Sequence, residues 1–435
     1  LNRSNSMSYV RNVKITNVKI TSLDGKTAEV GNGISGIMAF DYFESIFKPS
    51  VEATLTITTT DKIVSELPIR GTENVTITIV HDSGEVEFTD WVISSVSEPS
   101  TSSTQSVLVF VLTTPENVKQ ELKRNRLTQR YDLKVPISTH VENILLSLGT
   151  EKNLDIEKTA NSYGFYGNYW RAFKAIYWLA KRSMATGGGE RAGFLFWETK
   201  SGYKFKSIDS IASSAKTNVV QSFEQRESVS EDDDSDNFKI LAPFFEFNQN
   251  IITKMRKAAY GDNTKYFNAY TLPQKFQPEH TSTYSGSYDK VDKFGTEDLV
   301  KLNLGVSDSP TNCDVQPYIS GTMTQDGTVD PENDSGSPEK WCSSTQKYQL
   351  MLSQSLRLTV PMNFELEAGL PINLDLISPN KGLDNHESGV YLIKDLRHTI
   401  RVTDGGGMEC FTNLRCIRDN YGNDGINTNV TLLNS

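Results

Sequence analysis

A β-hairpin is predicted by the stretch Ala192-Gly-Phe-Leu-Phe-Trp-Glu-Thr-Lys-Ser-Gly-Tyr-Lys-Phe-Lys-Ser-Ile-Asp209. Phe194 and Phe196 share one face of its first strand, because successive side chains of a strand point to opposite faces. Leu195 and Trp197 share the other face. Lys200-Ser-Gly202 supplies the turn, since glycine tolerates the backbone conformations of tight hairpins. The stretch therefore places large apolar side chains on both faces of one short strand.

Two helices are predicted before the hairpin. The first begins at a capping box, Thr139-His-Val-Glu142, and ends at Gly149. Its apolar stripe consists of Val141, Ile144, Leu145 and Leu148. The second runs from about Trp170 to Met184. Its stripe consists of Phe173, Ile176, Tyr177, Ala180 and Met184. Stripes of this kind are typical of a packed core, so neither helix predicts a cofactor site.

Basic side chains are concentrated between Pro115 and Arg130, ahead of these helices. They are Lys119, Lys123, Arg124, Arg126 and Arg130. The segment is helix-prone, and two interpretations stay open. The basic residues form a solvated helix face, or they make an ionic contact with a neighbouring subunit.

Strand patterns lie farther out on both sides of the hairpin. In residues 9–115, apolar and polar residues alternate, as at Val75, Ile77 and Ile79, and glycine-containing turns separate the runs. The run Val107–Leu112 is apolar on both faces, which predicts a strand that is central or packed on another layer. These patterns predict a compact antiparallel β-unit.

A second antiparallel β-unit is predicted nearer the C-terminus. Its strands begin near Val219–Phe223 and Phe238–Phe247 and resume after Gln346. Between them lie an acidic run, Glu231-Asp-Asp-Asp234, and a long segment rich in Ser, Thr, Gly and Asp. Such segments are typical of surface insertions. Within it, the acidic stretch 326–334 lacks the spacing of an EF-hand calcium loop.

Composition and motifs argue against most functional classes. The net charge of −10 disfavours sequence-specific nucleic-acid binding. No apolar run is long enough to span a membrane, and the first residues do not resemble a secretion signal. Gly187-Gly-Gly189 lacks the Lys-Ser/Thr ending of a phosphate loop and predicts a flexible connector.

Neither catalytic nor metal-binding spacing is recognisable. There is no nucleophile elbow and no HExxH motif, and carboxylate pairs such as Glu142 and Asp155 are expected by chance. Cys410 and Cys416 share a strand face and are expected to be buried thiols, with a disulfide or metal site as the alternative. We therefore predict no enzyme activity, no catalytic, cofactor-binding or metal-binding residues, and no cofactor.

The stretch Trp170–Asp209, an aromatic helix followed by the hairpin, resembles the hub subunits of contractile phage baseplates of the T-even type. The closing strands resemble the same family. They include Leu356-Arg-Leu-Thr-Val-Pro361, Ala368-Gly369, Ser388-Gly-Val-Tyr-Leu-Ile393 and Leu396-Arg-His-Thr-Ile400. The resemblance implies a mainly β fold with a smaller α+β portion. Its two antiparallel β-barrel or sandwich domains would be similar to tail-tube domains.

The implied domains follow the order of the patterns. They are a first tube-like domain (1–115), an α+β domain with two helices and a hairpin (116–217), a second tube-like domain (218–268 and 346–420), a polar insertion (269–345) and a flexible C-terminal tail (421–435).

The resemblance also implies a function and partners. A homotrimer would form a ring in the virion's tail baseplate, assembled in the host cytoplasm, and would join a sixfold tail tube to a threefold central spike. Its partners would be the spike, the tube and baseplate wedge proteins, while DNA would pass through the channel without specific binding. Two alternatives stay open. One is a receptor- or glycan-binding module that uses Tyr266, Tyr270, Tyr284 and Tyr288. The other is a peptidoglycan hydrolase.

Overall fold

The structure is a computed structural model. It describes residues 13–30, 36–59, 69, 71–81, 84–101, 106–186, 192–217, 219–225, 239–240, 242–247, 251–257, 261–268, 280–285, 312–318, 341–377, 387–403 and 408–419. The expectations for Gly187-Gly-Gly189, the acidic run, the stretch 326–334 and the C-terminal tail lie outside these residues.

Strands dominate the described part of the chain. They are β1 (Lys14–Thr21), β2 (Thr27–Val30), β3 (Ile37–Ser45), β4 (Glu52–Thr59), β5 (Asn74–His81), β6 (Gly84–Thr101), β7 (Ser106–Thr113), β8 (Arg130–Tyr131), β9 (Leu154–Ile156), β10 (Phe165–Tyr166), β11 (Phe194–Thr199), β12 (Gly202–Ser207), β13 (Gln221–Glu224), β14 (Ala242–Phe247), β15 (Gly261–Asn268), β16 (His280–Ser285), β17 (Asn312–Tyr318), β18 (Gln354–Pro361), β19 (Pro371–Asp375), β20 (Gly389–Val402) and β21 (Met408–Arg418). The predicted mainly β fold class is confirmed.

The helices are fewer and short. They are α1 (Pro115–Lys119), α2 (Ile137–Ser147), α3 (Ala172–Ala180), α4 (Ile208–Thr217), α5 (Ile251–Arg256) and α6 (Cys342–Leu350). A 3₁₀ turn at Lys123–Asn125 follows α1. Within the described ranges, no helix has both the length and the apolar character needed to cross a bilayer.

One large sheet forms the body of the molecule. Its strand order is β14-β18-β21-β20-β3-β4-β7-β6-β5-β1-β2, and β19 and β13 branch from β20. We call β1–β7 the first β-unit, and β13, β14 and β18–β21 the second β-unit. In β4, inward and outward residues alternate along the whole strand, as the period-two pattern predicts. Of the two alternatives for Val107–Leu112, the structure shows the central strand, because β7 lies between β4 and β6.

The two β-units are joined edge to edge by β3 and β20. These strands pair antiparallel from Asp395 opposite Ser45 to Arg401 opposite Ala39. On one face of this joint, the Arg397 guanidinium donates to both oxygens of Asp41, at 3.0 and 2.9 Å. One apolar core contains buried residues of both units, including Phe40 and Leu396. The units are therefore parts of one continuous sheet.

The segment between the β-units forms a separate helical unit, α1–α4 with β8–β12. Its core holds the predicted stripes of α2 and α3, including Val141 and Phe173. Gly149 ends α2 with a φ of 68°, as expected. The predicted capping box is wrong. Helix α2 begins at Ile137, and the amide of Ser138 donates to the hydroxyl of Thr159, a partner distant in sequence.

A three-stranded sheet, β16-β15-β17, contains residues that sequence patterns had divided between two domains. The expected bounds of the second tube-like domain, 218–268 and 346–420, include strand β15. It pairs instead with β16 and β17, both from the predicted insertion. The insertion thus contributes regular structure of its own.

Candidate functional site

Hairpin β11–β12 lies between two apolar cores. All six residues of β11 are buried. Phe194 and Phe196 belong to the core of the helical unit, whereas Leu195 and Trp197 belong to a core shared with α4 and the second β-unit. The predicted division of these four side chains between two faces is confirmed. The hairpin therefore connects units that are separate in sequence, and we call its surroundings the hairpin junction.

Trp197 fastens the hairpin to the second β-unit. Its indole Nε1 donates to the carbonyl of Ala368 at 3.0 Å. The next residue, Gly369, has a φ of 90°, and a Cβ there would lie 2.5 Å from the Trp197 ring. Only glycine fits this backbone without strain, because it has no Cβ and tolerates positive φ. The Ala368-Gly369 dipeptide thus forms the seat of the indole.

Glu198 connects the same strand to the first β-unit and to other segments of the helical unit. The carboxylate is 1% exposed and accepts hydrogen bonds from the amide of Val51 at 3.0 Å and the hydroxyl of Thr114 at 3.2 Å. Lys152 Nζ lies 2.6 Å from Glu198 and 2.9 Å from Glu116. These contacts make a mostly buried ion triplet with hydrogen bonds to both units.

Each charge of the triplet favours the ionised form of its partner. Burial raises the pKa of the Glu198 carboxyl, and the Lys152 ammonium opposes that rise. Burial alone would lower the pKa of Lys152, but Glu198 and Glu116 outweigh burial and raise it. Burial would likewise raise the pKa of Glu116, and Lys152 reverses this effect. The triplet therefore depends on all three groups.

Glu44 bonds three parts of the chain at once. Its carboxylate accepts hydrogen bonds from the hydroxyl of Tyr42, the amide of Lys200 and the amide of Ala368, each at 2.7 Å. Those donors belong to the first β-unit, the hairpin turn and the second β-unit. Burial raises the pKa of Glu44 to about 7, while the donors oppose the rise.

The hairpin turn adds contacts to the second β-unit. The hydroxyls of Thr199 and Ser201 donate to one oxygen of Glu367, at 3.0 and 2.8 Å. Lys200 Nζ donates to the carbonyl of Phe364 at 2.8 Å. Lys200 and Ser201 of the turn, together with the neighbouring Thr199, thus attach the hairpin to the second β-unit.

A cleft of about 230 Å³ opens beside the junction. Its lining includes Tyr42, Trp91, Lys152, Glu198 and Lys200. Three of the charged groups in this lining are already bonded within the chain, since Lys152 and Glu198 bond each other and Lys200 bonds a backbone carbonyl. The other two, Glu87 and Asp90, are exposed at its rim. Of the carboxylates considered from sequence, neither lines the cleft: Glu142 is exposed on α2, and Asp155 pairs with Lys206 at 2.6 Å. The arrangement suits attachment between units better than acid–base chemistry.

The other candidate residues are scattered. Cys410 and Cys416 are free thiols, and Cys416 is buried as predicted, whereas Cys410 is only half-buried. The side chains of Cys313 and Cys342 lie outside the described part. Among described residues, no three His, Cys, Asp or Glu side chains are grouped to hold a metal ion. The sheet register places Tyr266 opposite His280 and Tyr284 opposite Asp262, so the two tyrosines do not occupy directly opposed positions of the ladder. Tyr270 and Tyr288 lie outside the described residues.

Sequence reasoning missed the polar network of the junction. One signal was available, because Glu198 interrupts the otherwise apolar run of β11. A buried carboxylate requires partners, so a charged residue in such a strand indicates a tertiary contact. Its partners, Lys152 and Glu116, follow no local pattern.

Comparison with known proteins identifies the fold. No family model and no curated protein sequence matches the chain. A tail protein from Neisseria meningitidis MC58 superposes with a TM-score of 0.52 at 12% identity, over 94% of this chain and 97% of that one. The 43 kDa tail protein of prophage MuSo2 from Shewanella oneidensis gives 0.51 at 10% identity, over 93% and 98%. The chain has the fold of phage tail proteins.

A third similarity is weaker. The E. coli c3393 protein, a type VI secretion system component described as structurally similar to the T4 bacteriophage tail proteins gp27 and gp5, gives a TM-score of 0.44 at 10% identity, over 96% of this chain and 80% of that one.

Proposed function

We propose that this tail protein is the hub subunit of a contractile-tail baseplate. Three copies would form a ring that joins the sixfold tail tube to the threefold central spike. The carrying observation is the β3–β20 joint, which holds two β-units of one chain in a single sheet. Three such chains present six β-units, so a threefold assembly can face a sixfold one.

The hairpin junction supports this role because it limits movement between the units. Glu44, Glu198 and Trp197 each bond across a boundary between units. An adaptor needs its β-units held at one angle, since a sixfold partner requires six equivalent positions. Buried and fully bonded contacts provide such rigidity.

The ring would also enclose the path of DNA. The net charge of the chain is −10, and a negative wall repels phosphate, so DNA would slide without adhering. We expect the channel-facing residues to carry net negative charge. A basic channel wall in a structure of the assembled ring would contradict this part of the proposal.

Native mass spectrometry tests the proposal most directly. The purified chain, alone and mixed with the spike protein, should give a species of three times the 48.6 kDa chain mass. A chain that stays monomeric even with the spike, or that forms a closed dimer, would rule out the hub. Electron cryo-microscopy of the trimer should then show six β-units around the axis.

Zymography provides a test of the enzymatic alternative. Clearing of peptidoglycan by the purified chain would contradict a purely structural subunit. The matched variant is Glu198→Gln, which alters the one buried carboxylate among the three that line the cleft, Glu87, Asp90 and Glu198. Clearing that this variant loses would assign the activity to the cleft.

A further inference from the structure

A basic and aromatic surface lies on the helical unit, outside the hairpin junction. Two segments, residues 119–131 and 165–174, carry seven basic residues and one acidic residue, in a chain whose net charge is −10. The basic residues are Lys119, Lys123, Arg124, Arg126, Arg130, Arg171 and Lys174, and the acidic one is Glu121. We call these two segments the basic patch.

Backbone pairing brings the two segments together. Strands β8 and β10 place Arg130 directly opposite Tyr166, so their side chains lie on the same face. Farther along, the amide of Leu127 donates to the carbonyl of Trp170 at 3.0 Å. Glu121 pairs with Arg171 at 2.8 Å from the other segment. The patch is therefore one continuous surface.

Two large aromatic side chains stand out from this surface. Tyr166 is 61% exposed and Tyr169 is 64% exposed. Most tyrosines of a folded domain bury more of the ring, because the ring is largely apolar. A pair of exposed tyrosines beside arginines has the composition of the centre of a protein interface.

The loop that presents Tyr169 is held in an unfavourable conformation. Asn168 and Tyr169 have φ values of 46° and 56°, in the left-handed region that is costly for a bulky residue. Hydrogen bonds enforce this shape, since the amide of Tyr169 donates to Leu127 at 2.8 Å and that of Gly167 donates to Gln129 at 3.0 Å. Gly167 permits the close approach, because a Cβ there would lie 2.3 Å from the Leu127 carbonyl oxygen. Strain maintained in this way is a feature of functional surfaces.

The positive charge of the patch is largely uncompensated. Arg126 and Arg171 share the single carboxylate of Glu121. Lys123, Arg124 and Arg130 are exposed, and none of them forms an ion pair within the described ranges of the chain. An acidic surface would supply the missing partners.

We propose that the basic patch is a docking surface for an acidic face of a different protein subunit. Charge complementarity defines the chemistry of this partner, and the two tyrosines supply the apolar contact area. The net negative charge of the chain as a whole disfavours nucleic acid as the occupant. In the proposed ring, six β-units surround the axis, and we take the helical unit to face other subunits; this choice of occupant alone rests on the proposed function.

Fluorescence anisotropy with a labelled decaglutamate peptide tests the chemistry of the surface. The double substitution Arg124→Glu with Arg130→Glu should weaken peptide binding at least about tenfold, since it replaces attraction by repulsion. The double substitution Tyr166→Ala with Tyr169→Ala should weaken binding about threefold or more at unchanged charge. The matched control, Lys14→Glu with Lys19→Glu, makes the same charge change on exposed residues of β1 and should bind like the wild type.

Several outcomes would overturn the proposal. One is equal peptide affinity of the patch variants and the wild type, with unchanged melting temperatures. Another is displacement of the peptide by double-stranded DNA at a lower charge concentration than by free decaglutamate, which would assign the patch to nucleic acid. In native mass spectrometry, a trimer formed by the wild type and lost in Arg124→Glu with Arg130→Glu would assign the patch to contacts between copies and leave the hub proposal standing. A trimer kept by that variant supports a different subunit as the partner.

Discussion

Lys152 Nζ lies 2.6 Å from Glu198 Oε1, and the same ammonium group lies 2.9 Å from Glu116. Glu198 is buried, so its charge depends on this partner. We expect Lys152→Met to lower the free energy of unfolding by about 3 kcal/mol, because it leaves buried carboxylates unpaired. Urea unfolding followed by tryptophan fluorescence measures the change.

A matched control exists for this prediction. Lys48 and Glu52 also lie 2.6 Å apart, but both side chains are largely exposed. Lys48→Met should cost less than about 1 kcal/mol. Equal losses in the two variants would contradict a special role for the buried triplet.

The close contact between Gly369 and the Trp197 indole leads to a prediction for a second pair of variants. Gly369→Ala should be more destabilising than Gly25→Ala, although both residues have positive φ, at 90° and 78°. A Cβ at Gly25 meets no neighbour within 4 Å, whereas one at Gly369 meets the indole. We expect backbone strain to lower the free energy of unfolding of both variants by about 1 kcal/mol. Overpacking against the indole should lower that of Gly369→Ala by about 1–3 kcal/mol more. Thermal melting of the two variants in parallel would show whether the indole contact adds to the strain.

Glu44 predicts a pH dependence of stability. Burial raises its pKa from 4.5 to about 7 in the folded state. Between these values the folded chain binds the proton more tightly, so this contribution to stability is lost as the pH rises from 4.5 to 7. The free energy of unfolding of the wild type, minus that of Glu44→Gln, should therefore fall by about 3 kcal/mol as the pH rises over that range. Denaturation curves of both proteins at several pH values provide the test, and parallel pH profiles would contradict it.

His398 predicts the opposite slope. The ring is buried, lies 5.8 Å from the ring of Tyr42 in a stacked arrangement and bonds the hydroxyl of Thr412 through Nδ1 at 2.9 Å. Burial, with some help from Lys200, lowers its pKa from 6.5 to about 3. The unfolded chain binds the proton first as the pH falls, so stability is lost below pH 6.5.

The free energy of unfolding of the wild type, minus that of His398→Phe, should fall by about 2 kcal/mol as the pH drops from 6.5 to 5. The same denaturation series measures it. A rise of this difference as the pH falls would mean that the folded protein accepts the proton at His398.

Local periodicity accounts for what could be predicted from the sequence. The faces of β11, the apolar stripes of α2 and α3 and the central place of β7 all follow from the spacing of apolar residues. Each of these features depends on residues that are close in sequence. The end of α2 at Gly149 belongs to the same class, since a C-terminal glycine acts within one turn.

Partners distant in sequence account for what could not be predicted. The apolar pattern of β3 shows which face is buried, but it does not show that β20 is the neighbouring strand. Helix α2 begins before the expected capping box for the same reason, because Thr159 satisfies its first turn. The position of β15 beside β16 and β17 is a further case.

The β3–β20 joint also constrains how a cell can make this protein. Ser45 and Asp395, which bond across the joint, are 350 residues apart in the chain. Translation at 5–20 residues per second leaves the edge of β3 without its partner for about 20 s or longer. An open strand edge can pair with another nascent chain, so this interval is the period of greatest risk for aggregation. The edge of β3 stays open until β20 leaves the ribosome. Slow synthesis lengthens this period and scarce chaperones leave the edge unprotected, so both should reduce the yield of folded protein.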